Sequence, residues 1–364
     1  MGKSLRVGII GSGVIAPTHI ESYQLLKDVE VVCACDLIAD KAKQVAEKYK
    51  IARTTTDYRQ LLNDSTIDLV SVCTDHASHE QIVVDAFRAG KHVVCEKSLA
   101  ARSDQLDRIL AAHAAHPDLL FSGIFQHRFD GVNRAVRRLI AEGKLGKMLT
   151  ANMQIRCFRS DQYYSDGWHG TWAKEGGSVL INQAIHSVDS LAWIMGGISG
   201  ISAAHANLNH PDSIETEDTI TATVRFANGA LGTMEATCAS HINWEITQEF
   251  HGTLGSIEVR DGAPRKVVFT DLVLQEQVKN ILETANDPRG VEAGRSYYGT
   301  GHPAQIADVV DALRNGRAPF VTGEQASHAV RIVLGAYESQ RTGGWVEVPA
   351  AMEAVAVAAK GVDF

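Results

Sequence analysis

Lys97 closes the run His92-Val93-Val94-Cys95-Glu96-Lys97-Ser98, an apolar strand pattern that ends in a charged pair. An amine at the carboxyl end of a strand can polarise a bound oxygen and exchange a proton with it. To act as a base near neutrality, its pKa must fall from the usual value of about 10.4, as burial beside another positive charge would make it do. Further along, Asn182 and His186 stand four residues apart. If that stretch is helical, they share one face, one turn apart, and Asp189 is placed to orient the histidine ring. Each residue also has a plainer reading. A strand-end lysine is commonly a surface group, and a histidine among apolar helix residues is commonly a satisfied core group.

A second cluster lies near the N-terminus. Gly11-Ser12-Gly13-Val14-Ile15-Ala16 follows a strand pattern and opens a helix pattern. Gly11 permits a tight turn, Gly13 lets the backbone approach a pyrophosphate, and Ala16 allows close helix packing. The helix N-terminus offers N–H groups to the anion. Asp36 ends the next strand pattern, 25 residues after Gly11. There it would accept from ribose hydroxyls and repel a 2′-phosphate, favouring NAD over NADP; its plainer role is to cap the following helix. Thr74, Asp75, His76 and His79 follow another strand, at the end where an open parallel sheet binds ligands.

The elements that must position these groups change character along the chain. Apolar runs at 5–10, 29–35, 69–73, 92–95 and 119–125 alternate with helical patterns at 17–26, 39–49, 78–89 and 103–115. That order predicts a parallel sheet covered on both faces, over 1–125. From 126 to 346 the pattern is α+β. A helix is expected over 130–142, and helices return at 303–314 and 324–339. Between them Ile220, Ala222, Val224 and Phe226 alternate with Thr219, Thr221, Thr223 and Arg225, and Asn228-Gly229 turns the chain into 231–239. This predicts an open, mainly antiparallel sheet. An Ala/Val-rich tail fills 347–364.

Composition excludes several classes. With 364 residues, 45% hydrophobic residues, 21% charged residues and a net charge of −8, the chain is a globular protein with no basic block for nucleic acid. Its longest apolar N-terminal run is interrupted and short, so neither a signal peptide nor a membrane span is expected, and Arg6 disfavours myristoylation of Gly2. Cys33, Cys35, Cys73, Cys95, Cys157 and Cys238 form no CxxC pair; reduced, buried thiols and a cytoplasmic location are expected. The histidines show no metal spacing and there is no HExxH, so no catalytic metal is expected.

The glycine turn, Glu96-Lys97, the His186 segment and Gly301-His302 with its following helix resemble the Gfo/Idh/MocA family over essentially the whole chain. The resemblance implies an N-terminal Rossmann domain and a C-terminal domain whose sheet builds dimers or tetramers. It also implies nicotinamide-dependent oxidation or reduction of a sugar or cyclitol hydroxyl, with Lys97 and His186 as the catalytic, proton-handling pair. The chain departs from the family pattern twice. Ser98 stands where Pro is usual, so a trans Lys97–Ser98 bond is expected. Asn182 stands where Asp is common; it cannot move a proton, and it gives His186 no carboxylate to raise its pKa.

Expected cofactor contacts are Gly11, Gly13, Val14, Ile15, Asp36, Thr74, Asp75, His76, His79, Glu96 and Lys97. Expected substrate contacts are Lys97, Asn182, His186, Tyr163, Trp168, Trp172 and Arg156, with Tyr298 and His302 as weaker candidates. The aromatic and polar segment around Tyr163, Trp168 and Trp172 suits a sugar and equally suits a packed loop. The expected reaction is NAD-dependent oxidation of a secondary hydroxyl of a sugar, glycoside or cyclitol, C3 of a glucoside being the specific form. The rivals are a UDP-sugar 3-dehydrogenase and a dinucleotide-binding sensor without turnover.

Overall fold

A computed structural model describes residues 4–286 and 301–349. Tyr298 and the tail from Ala350 lie outside them, as does Gly2.

The first third builds a six-stranded sheet in the order β3-β2-β1-β4-β5-β6, with every pairing parallel. Its strands are β1 (Leu5–Ile10), β2 (Val29–Cys35), β3 (Arg53–Thr55), β4 (Leu69–Val72), β5 (His92–Cys95) and β6 (Phe121–Gly123). The helices between them are α1 (Ala16–Gln24), α2 (Ala39–Tyr49), α3 (Tyr58–Leu62), α4 (His76–Arg88) and α5 (Ser103–Ala114). The central strands are continuous apolar runs because helices cover both faces; β4 is buried throughout. Strand order reverses between β1 and β4, which opens a crevice at their carboxyl ends. β3 and α3 have no counterpart in the sequence reading. Arg-Thr-Thr at a sheet edge carries no apolar run to announce it.

The remainder forms an eight-stranded sheet in the order β13-β12-β11-β7-β10-β9-β8-β14. Its strands are β7 (Met148–Arg156), β8 (Ile198–Ala206), β9 (Thr219–Phe226), β10 (Leu231–Thr237), β11 (Glu245–Gly252), β12 (Gly255–Arg260), β13 (Ala263–Phe269) and β14 (Val346–Glu347). The sheet is antiparallel except where β7 runs parallel to β10. Its inner face carries Ala151, Met153 and Ile155, all buried, while Asn152, Gln154 and Arg156 point outward. The other helices are α6 (Gly131–Ala141), α7 (Ile185–Met195), α8 (Leu272–Ala285), α9 (Gly301–Asn315) and α10 (Gly323–Thr342).

The two halves are tied together. Ile306, Val309 and Val310 of α9 share a core with Val7 and Ile9 of the first sheet and Ile20 of α1. Gln305 accepts from the Phe125 amide (3.1 Å) and donates to the Gly123 carbonyl (2.9 Å). Among the described residues no helix is long and apolar enough to cross a membrane, and all six cysteines are buried free thiols.

Candidate functional site

The glycine turn sits between the ends of β1, β2 and β4. The Gly11 amide donates to the Cys35 carbonyl (2.8 Å). Gly11 has φ +93°, and a Cβ there would lie 2.4 Å from the Cys73 carbonyl oxygen, so only glycine fits. Beside Gly13 a Cβ would meet nothing within 4 Å, which leaves the backbone open to a ligand. Asp36 accepts from the Ser12 amide (2.9 Å) and the Ile38 amide (2.8 Å), locking the turn to the end of β2. Around it Val14, Leu37 and Ile38 are 66%, 88% and 52% exposed, an unusual concentration of apolar surface. A carboxylate and a glycine turn ringed by exposed aliphatic groups fit the adenosine and pyrophosphate of NAD. Ile15, next to the helix start, packs against the core beneath the turn.

The loop after β4 is spent largely on its own architecture. Asp75 caps α4, accepting from the Ser78 amide (3.1 Å). The His79 ring lies between the carbonyls of Ser98 (2.7 Å) and Thr74 (3.1 Å), joining the ends of β4 and β5. His76 lies 2.7 Å from the Glu175 carbonyl and so reaches into the second half of the chain. Burial pushes the pKa of both rings down.

Lys97 leaves the end of β5 with its Nζ donating to both the carbonyl (3.0 Å) and the Oδ1 (2.8 Å) of Asn182. Burial lowers its pKa, opposed by Glu96 and Glu175. The Lys97–Ser98 peptide is cis, not trans as expected. Ser98 is fully buried, its carbonyl faces His79, and its hydroxyl donates to the Ala100 carbonyl (2.9 Å), so the backbone path is fixed by its surroundings without proline.

Glu96 points the other way, into a buried network. Its Oε1 meets His19 Nε2 (2.8 Å) and lies 3.5 Å from His302 Nε2. Burial works against the charge of Glu96, but the two histidines outweigh it and hold its pKa well below the usual range. Among the described residues this trio alone brings potential metal ligands within 4.8 Å of one another. The His19–Glu96 separation is that of a hydrogen bond, shorter than the roughly 3.3 Å between donors around a tetrahedral zinc. Glu96 therefore braces the base of the site.

Asn182 and His186 do not share a regular helix. Residues Val179–Ala184 form a π-helical turn that passes into α7. Buried Glu217 starts it, accepting from the amides of Ser178 (3.2 Å) and Leu180 (3.0 Å). His186 is flanked by the rings of Phe125 and His127, and its buried Nδ1 has no partner. Burial, then Lys97, pushes its pKa well below the usual value, so the ring is neutral at pH 7. Asp189 does not orient it: both carboxylate oxygens take the guanidinium of Arg128, at 2.6 and 2.8 Å.

Two residues absent from the sequence reading complete the group. Glu175 is fully buried and accepts from Asn182 Nδ2 and the Gly170 amide. It thereby fixes which end of the Asn182 amide faces Lys97. Burial pushes its carboxyl up to about 8. Arg159 donates to Gln183 Oε1 (2.8 Å) and stacks on Tyr163, whose hydroxyl accepts from Gln183 and Asn182.

The remaining candidates divide. Tyr163 belongs to the group, and Trp168 packs on His76 and His169 at its edge. Trp172 sits apart, exposed, with its Nε1 donating to the Glu215 carbonyl (3.2 Å) and its ring against Tyr337. Arg156 is not in the site. It lies on the outer face of the second sheet, paired with Glu235 (3.2 Å) and Glu245 (4.0 Å).

Comparison with known proteins gives the same frame. Residues 5–124 match the NAD-binding Rossmann-fold domain of the Gfo/Idh/MocA oxidoreductase family, and residues 137–348 match its C-terminal α/β domain. An uncharacterized oxidoreductase, YrbE of Bacillus subtilis, is 26% identical over 93% of this chain and 95% of its own. The D-glucoside 3-dehydrogenase of Escherichia coli is 27% identical over 94% and 97%. The crystal structure of the WlbA dehydrogenase from Bordetella pertussis, in complex with NADH and UDP-GlcNAcA, has the same fold: TM-score 0.85, 24% identity, 96% and 99% coverage. The chain belongs to the Gfo/Idh/MocA family and is an NAD-dependent oxidoreductase acting on CH–OH groups.

Proposed function

We propose that the protein oxidises a secondary hydroxyl of a sugar, glycoside or cyclitol to a ketone, with C3 of a glucoside as the reacting carbon. The observation that carries this reading is the anchoring of Lys97. Two of its N–H groups are committed to Asn182, which leaves one position on the nitrogen for a substrate oxygen. In the neutral amine that position is a lone pair that takes the hydroxyl proton; in the ammonium it is an N–H that holds the new carbonyl oxygen. NAD supplies the hydride acceptor when bound. His186, a neutral ring beside Phe125 and His127, is the second group of the proton-handling pair in this reading. Asn182 positions the Lys97 amine, its own Nδ2 hydrogens going to Glu175 and the Tyr163 hydroxyl. A UDP-sugar as substrate is the second reading, supported by the fold shared with a dehydrogenase crystallised with UDP-GlcNAcA. A cytoplasmic homodimer or tetramer is the further part of this reading, as the family resemblance implies.

The test is NADH formation from NAD with a panel of glucosides, free sugars, inositols and UDP-sugars. Absorbance growth with one class, lost in Lys97→Ala while NADH binding persists, is the expected result. Turnover that survives Lys97→Ala removes the assigned role.

A further inference from the structure

Arg159 is a charge without a counter-charge. Its guanidinium carbon lies 4.9 Å from the centre of the Tyr163 ring and 5.1 Å from that of Trp244. Its terminal nitrogens donate to neutral acceptors, Gln183 Oε1 at 2.8 Å and the Phe158 carbonyl at 3.3 Å. Its Nε is buried and unpartnered. Among the described residues no Asp or Glu pairs with it. A half-buried cation in this condition has no acid to meet it, and arginine cannot become neutral by losing its proton.

The position matters as much as the charge. Gln183 links Arg159 to the Tyr163 hydroxyl (3.0 Å), the hydroxyl meets Asn182 Nδ2 (3.4 Å), and Asn182 Oδ1 meets Lys97. The guanidinium is thus linked to the reacting amine through three side chains, Gln183, Tyr163 and Asn182. Its field also reaches that amine and lowers its proton affinity. A neutral hydroxyl would satisfy an N–H but leave the charge unmet; an anionic oxygen does both, through a bond roughly twice as strong.

We infer that the substrate carries an anionic group, a carboxylate on the sugar as in a hexuronic acid, and that Arg159 receives it. This rests on the sugar-oxidising reading of the same site. A carboxylate fits better than a phosphate ester because it brings one negative charge to one guanidinium, whereas a phosphate brings nearly two.

The test uses NADH-loaded protein and calorimetric titration with three probes: methyl β-D-glucoside, methyl β-D-glucuronide and glucose 6-phosphate. The glucuronide is expected to bind at least tenfold more tightly than the glucoside. Arg159→Gln should lose that difference, and Arg159→Lys should keep part of it. Equal affinity for glucoside and glucuronide, no binding of any probe, or an equal loss for both sugars in Arg159→Gln overturns the inference. Tighter binding of the phosphate overturns the choice of carboxylate. NAD reduction, measured on the same proteins and sugars with NAD in place of NADH, separates the two claims. Glucoside oxidation indifferent to Arg159 leaves the dehydrogenase standing without the anion site. Glucuronide binding without oxidation leaves the anion site standing without the dehydrogenase.

Discussion

The outer face of the second sheet and the space around Lys97 use the same residue types in opposite ways. On the outer face every cation named here has its acid: Arg156 with Glu235 and Glu245, Arg260 with Glu258 (3.1 Å), Lys266 with Glu258 (2.6 Å). These pairs are partly exposed, so each contributes little, about 0–1 kcal/mol. Around Lys97 the cations meet neutral oxygens, and the nearby acid, Glu175, is turned to an amide and a backbone N–H. Pairing charges makes a surface quiet. Withholding the pair keeps a group available to something that arrives.

That contrast can be broken at four points. Lys97→Ala should lower kcat/KM by about 1000-fold, the middle of the range for a proton-transfer group, while NADH binding measured by fluorescence stays near wild type. His186→Asn should cost about 100-fold in kcat with little change in KM; a larger change in KM than in kcat would move His186 from chemistry to binding. Glu175→Gln should act through pH. The carboxyl is raised to about 8 in the folded chain, against about 4.3 unfolded. Its contribution is therefore whole below the unfolded value and is lost as pH climbs through the folded one. The Tm of the variant should gain on wild type by a few degrees between pH 5 and pH 9, and parallel Tm curves would show that the acid is not buried as described. Arg156→Ala should change stability by less than about 1 kcal/mol and leave KM unaltered; a raised KM would return Arg156 to the site.

Much of this was legible from local pattern. The glycine turn and Lys97 stand at strand ends that the apolar runs announce, and Asn228-Gly229 announces its own hairpin. Glu175 was not legible. It lies between Lys174 and Gly176 in a stretch that reads as loop, and its burial depends on Gly170 and Asn182. Gly176 permits the approach: its φ is +81°, and a Cβ would lie 2.4 Å from the Ala101 carbonyl oxygen. Arg159 left a fainter trace. On β7 the odd positions 151, 153 and 155 face inward, and Cys157 continues them. Carried two residues further, that parity places Arg159 inside and Arg156 outside. The π-turn defeated the assumption of one regular helix. Asp189 found Arg128 rather than His186 because a bidentate guanidinium offers a buried carboxylate more than a ring nitrogen does.

The return of α9 and α10 to the first sheet has a mechanical meaning. Ser122 donates to the Val321 carbonyl (2.7 Å), Gly123 leaves room for Ala326, and α10 also packs on β8 of the second sheet. The chain thus leaves the nucleotide-binding half, builds the other half, and comes back to finish the first. Neither half is a module that could be clipped out. A fragment ending near residue 125 would expose the surface that Ile306, Val309 and Val310 cover. Heating the intact chain should melt both sheets in a single calorimetric transition.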